Sequence, residues 1–177
     1  MIISSMCLKN KGLMTGIVFG VVSVPWTYFF ERVLLIPLWP SFIASASFFA
    51  AGGGFRNLTR SYLANISGII YALFTLLISD LIFRNDIIWL SIFVGIFMFG
   101  ASMHYVSGLF FLPGMFFGYA AMFSVNAVDA GIIGYFGAGA QAVAAAISML
   151  IGAVIGFIVE KIASFITGRA VKYGNKA

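Results

Sequence analysis

Apolar residues run on in this chain for stretches far longer than a soluble amphipathic helix requires. The runs cover residues 12–30, 34–51, 61–83, 87–103, 105–125 and 138–159, with short polar breaks between them. About 20 residues carry a helix across the hydrocarbon of a bilayer, with about 17 tolerated. The runs are too long for barrel strands and show no strict alternation, so backbone satisfaction in lipid demands helices. The pattern therefore predicts an all-α integral membrane protein: one multi-pass domain of six transmembrane helices, followed by a basic tail at 160–177. The first run reads as an uncleaved span rather than a signal peptide.

Two of the six runs are interrupted. The second contains Pro37 and Pro40 and ends at Gly52, Gly53 and Gly54; the fifth contains Pro113 and Gly114. Each leaves an uninterrupted piece about half a membrane thick at 1.5 Å per residue. Such segments are either broken spanning helices or re-entrant hairpins. Spanning is the better reading, because re-entry of the second would carry Arg56 and Arg60 to the wrong side. They are the middle members of two groups of three, which would give a 3+3 inverted repeat. Interrupted segments at matching places in two halves point to a transporter's pathway. On that basis Gly52, Gly53, Gly54, Asn65, Pro113, Gly114 and Gly118 are candidate path-lining residues. The plainer reading is that Pro and Gly are common in membrane helices.

Small residues recur every four positions elsewhere. Gly12, Gly16 and Gly20 form one stripe, and Ser148, Gly152 and Gly156 another. Stripes of this kind let helix backbones approach closely in lipid. The expectation is tight packing of the first helix on the sixth, within one chain or between copies in a homo-oligomer.

Charge fixes the threading. Lys9, Lys11, Arg56, Arg60, Lys161, Arg169, Lys172 and Lys176 fall on one side of a six-span chain, and only Arg32 and Arg84 on the other. Basic residues flanking spans mark the cytoplasmic face, which places both termini there. The net charge of +5 is thus spent on orientation and anionic lipid rather than on nucleic acid, for which no continuous basic stripe exists.

Chemistry is sparse. One Cys, one His (His104) and five carboxylates leave no disulfide, no metal site and no combination of nucleophile, base and orienting group. No cofactor is expected, and no enzymatic activity. Gly137, Gly139 and Ala142, with Glu160 beyond, spell a dinucleotide fingerprint, but no strand precedes them and the helix that follows is apolar. Asp80 and Arg84 stand four apart, as an interfacial pair or a cation-attracting mouth. No ionisable residue lies at the middle of a span, so a proton relay or voltage sensor is absent. What remains is a channel or facilitator for a small neutral solute, or a non-transporting accessory protein that recruits a partner.

Two stretches resemble a known family. Phe48-Phe49-Ala50-Ala51-Gly52-Gly53-Gly54 with Arg60-Ser61, Asn65, Ser67 and Gly68, and Phe111-Leu112-Pro113-Gly114-Met115-Phe116-Phe117-Gly118, are similar to segments of the YahC/YcdZ-type proteins. These are small bacterial inner-membrane proteins of unknown function. The resemblance implies a bacterial inner-membrane location and a multi-span fold, and it transfers no activity.

Overall fold

The computed structural model describes residues 10–84, 86–103, 111–131 and 137–174, the stretch 169–174 by backbone alone. Among them the chain is all helix: α1 (Lys11–Phe29), α2 (Trp39–Ala50), α3 (Gly54–Phe83), α4 (Ile87–Met103), α5 (Leu112–Ala127) and α6 (Ala138–Gly174). Three pieces are long and apolar enough to cross a membrane, namely Lys11–Leu34, Gly54–Phe83 and Ala138–Gly168; α4 is a shorter apolar helix. The expectation that all six meet the length criterion is corrected here. α2 has 12 residues and α5 has 16, or about 18 and 24 Å against about 30 Å of hydrocarbon.

Local chemistry explains the shortening. Pro40 and Pro113 each stand in the first turn of their helix, where a missing N–H costs nothing. Before α2 the chain leaves α1 through a π turn, Phe30–Leu34, closed by Leu35 N–H donating to the Phe30 carbonyl at 2.9 Å. Leu35 then takes a left-handed φ of 52°, so α1 and α2 cannot fuse. Pro25 lies inside α1 without breaking it. At the other end of the forecast, α6 continues to Gly174, so the tail from 160 is helix rather than a loose extension. α3 likewise begins before its apolar run and carries Arg56 and Arg60 in its first turns.

Named contacts fix the directions. Lys11 reaches Glu160, while Trp26 and Phe30 pack by Ile151, so α1 runs antiparallel to α6. Ser148 bonds the Pro37 carbonyl and Glu160 lies on Gly53, so α2 runs parallel to α6. Gly54 meets Glu160 and Tyr62 meets Ala146, which makes α3 antiparallel to α6. Phe83 stacks on Trp89, and Tyr71 packs on Phe97, which turns α4 back along α3. Odd-numbered helices point one way and even-numbered ones the other.

The core between α2, α3, α5 and α6 is built of small and flexible side chains, among them Ala44, Ala72, Met122, Ala145, Met149 and Ala153. Large apolar residues face outward instead, with Leu81 78% and Val24 72% exposed. That inverts the economy of a water-soluble domain and suits a lipid solvent.

Candidate functional site: two helix crossings and a carboxylate clamp

Two crossings hold the bundle together. On α3, a β-carbon added to Gly68 would overlap the Met115 carbonyl of α5; one added to Gly118 would overlap the Asn65 carbonyl of α3. On α6, a β-carbon at Gly152 would overlap the Ser41 carbonyl of α2, and one at Gly156 would lie 3.1 and 3.2 Å from the Phe48 and Ser45 side chains. The backbones touch at both places. Gly68 and Gly152 each stand fourteen residues beyond the first residue of their helices, Gly54 and Ala138. Each meets a residue just past the proline that opens a short helix.

Asn65 lies at the first crossing, fully buried. The Gly114 and Ser61 carbonyls beside its amide can only accept, so its nitrogen faces them, at 2.9 and 3.2 Å, and also Ser47 Oγ at 2.8 Å. This orientation is set by the neighbours' chemistry. One amide therefore ties α2, α3 and the first turn of α5 together. Higher on the same face, Thr75 Oγ1 and Tyr119 Oη lie 2.8 Å apart.

Glu160 makes the second polar junction. Gly52, Gly53 and Gly54 have φ of 99°, 69° and 78°, a left-handed run that side chains resist. The turn leaves the N-terminus of α3 without a capping side chain of its own. Glu160 Oε2 supplies the cap from α6, accepting from Gly54 N–H at 2.8 Å, while Lys11 Nζ lies 3.5 Å from Oε1. A β-carbon on Gly53 would sit 2.8 Å from that carboxylate. A negative group is well placed at a helix N-terminus. At the opposite end of α6, Gln141 donates to Asp129 and accepts from Asn126, at 2.8 and 2.9 Å.

The candidate path residues are thus split. Asn65, Pro113, Gly114 and Gly118 gather at the α3–α5 crossing, which is packed shut in this conformation. Gly52, Gly53 and Gly54 stand at one end of the bundle under Glu160. Of the packing stripes, Ser148, Gly152 and Gly156 lie on α2 rather than α1. A β-carbon added to Gly16 or Gly20 would meet nothing within 4 Å, and one on Gly12 only Asn10 Oδ1 at 3.4 Å. α1 does pack on α6, but through Met14 and Val18 against Val159 and Ala163. Within one chain, larger side chains rather than the glycines fill this seam. His104 lies outside the described residues. Among the described residues no group of three His, Cys, Asp or Glu side chains could hold a metal ion.

Sequence reasoning overlooked the roles of Glu160 and Gln141. A signal for Glu160 existed, since a carboxylate in a chain so poor in them needs a partner, and a glycine turn with bare N–H groups offers one.

Residues 16–164 match the model of a protein family of unknown function, DUF1097. The chain belongs to this family. No curated protein and no solved structure matches it. The DUF1097 match begins within α1 and ends within α6, so it takes in both crossings and the Glu160–Gly54 contact, while Lys11 lies before it. In this DUF1097 protein Glu160→Ala should cost about 1.5–3 kcal/mol, the worth of a hydrogen bond to a charged group. The thermal midpoint in detergent should fall accordingly. Glu160→Gln, which keeps an acceptor for Gly54 N–H, should fall less, as should Lys11→Met, whose side chain is 56% exposed.

Proposed function

We propose that this DUF1097 protein is a six-span protein of the bacterial inner membrane, close to the YahC/YcdZ-type members, with both termini cytoplasmic. In this reading it is a passive facilitator for a small neutral or weakly charged solute, without enzymatic activity. Its halves, α1–α3 and α4–α6, are inverted repeats. The observation that carries the reading is the paired architecture. Helix 2 of the first half lies on helix 3 of the second (α2 on α6), and helix 2 of the second lies on helix 3 of the first (α5 on α3). Both contacts fall at the same depth from the helix start. Short, proline-opened helices at matching places in inverted halves are the recurring plan of secondary transporters.

Further support comes from the cavities at opposite ends. One of about 470 Å³ lies among Glu31, Pro37, Trp39 and Asp129, where α2 begins and α5 ends. Another of about 340 Å³ lies among Lys11, Thr15, Gly53 and Glu160, where α2 ends. No residue lines both cavities, which suits a carrier caught between openings.

The test is uptake of uncharged solutes of graded size, glycerol and urea first, into proteoliposomes. The protein should raise permeability above that of empty vesicles, and Pro113→Ala, on an exposed position of α5, should change the rate while the protein stays folded. Equal permeability with and without protein would remove the facilitator and leave the accessory reading, in which the basic end of α6 recruits a partner.

A further inference from the structure

The cavity beside Glu160 does not end there. It shares Thr15 and Phe49 with a second hollow of about 430 Å³, the groove between α1 and α2 formed by Gly16, Phe19, Phe42 and Ala46 with them. The first hollow is mixed: Lys11, Glu160 and the main chain of Gly52 and Gly53 give it a polar edge beside Gly12 and Phe49. The second is apolar apart from Thr15 and opens to the outside of the bundle. Gly16 keeps it deep, because no atom approaches the place where its β-carbon would be. A polar-edged chamber continuous with an apolar furrow, at the end of a membrane bundle, has the shape of a single lipid molecule.

We infer that this composite cleft binds one glycerophospholipid from the leaflet on the Lys11 side, its headgroup in the polar-edged chamber and an acyl chain along Gly16, Phe19, Phe42 and Phe49. The charges select the headgroup. Lys11 and Glu160 stand 3.5 Å apart, one cation beside one anion. A phosphate on Lys11 and an ammonium toward Glu160 complement both, whereas a purely anionic headgroup leaves Glu160 facing another negative charge. Lys11 is 56% exposed and has donors to spare for a phosphate. Basic pockets between membrane helices hold lipid headgroups, and an acyl chain seated in the groove gains close packing contacts in place of loose lipid neighbours. The lipid is therefore of the phosphatidylethanolamine type. The inference needs the chain to lie in a bilayer and is independent of whether it transports anything.

Trp26 provides the readout. Its ring lies 4.4 Å from Phe42 and 5.7 Å from Phe19, against the groove wall. In a Trp39→Phe, Trp89→Phe background, the full chain is reconstituted with phosphatidylethanolamine or phosphatidylglycerol carrying brominated acyl chains. Half-quenching of Trp26 should need about fivefold less brominated phosphatidylethanolamine, the worth of one charge contact at a membrane surface, here the ammonium at Glu160. Gly16→Leu, which fills the furrow without touching the fold, should abolish the difference, and Lys11→Gln should weaken quenching by both lipids. A preference for phosphatidylglycerol would overturn the headgroup assignment. Equal quenching by both, or a preference that survives Gly16→Leu, would overturn the site.

Discussion

Replacing Gly118 by alanine should cost the protein about 3 kcal/mol, the upper part of the range for overpacking a tight interior. Alanine normally improves a helix by about 1 kcal/mol relative to glycine, so the sign itself is informative. The added carbon has nowhere to go, because it meets the main-chain carbonyl of Asn65 rather than a side chain that could swing aside. Gly152→Ala should be just as damaging, since it meets the Ser41 carbonyl. Gly16→Ala and Gly20→Ala, where nothing lies within 4 Å, should be neutral or slightly stabilising. Thermal melts in detergent with size-exclusion profiles separate the four. A Gly118→Ala protein as stable as the parent would mean that α3 and α5 do not touch.

These four glycines also show what the sequence could and could not convey. Gly16, Gly20 and Gly152 sit in small-residue stripes, and spacing alone gives the stripes equal claims to a helix contact, while Gly118 was read as lining a path. What separates Gly152 from Gly16 is the neighbour each one faces, and that depends on helix order and rotation, which periodicity does not encode. The proline signals were more legible: Pro40 and Pro113 do open short helices. Pro25 looks the same on paper yet lies within a continuous α1. The boundaries of α3 and α6 were missed because an apolar run reports where lipid contact stops. A helix stops where its hydrogen bonding does, and charged residues such as Arg56 and Lys161 continue it.

The clamp at Glu160 was hidden for a different reason. Its partners are a backbone N–H 106 residues away and a lysine on α1; no local pattern announces a donor supplied by the main chain. Asn65 was legible as a polar residue deep in a span, and the two roles open to it were lining a path and bonding between helices. Its three neighbours favour the second role in the closed conformation. The facilitator reading then needs this junction to loosen when the bundle opens.

That makes Asn65 the place where orientation of a single amide decides the outcome of a substitution. Asn65→Ala should remove the bonds to Ser47 and Gly114 and cost about 2 kcal/mol, the penalty of leaving buried partners unpaired. Asn65→Asp has nearly the same shape but puts a carboxylate against the Gly114 and Ser61 carbonyls, which offer it no hydrogen. An unpaired buried charge costs more than a lost amide bond, so the aspartate variant should melt well below the alanine variant. The order of the two melting points, Asp below Ala, therefore reads out how far the amide N–H groups hold α2, α3 and α5 together.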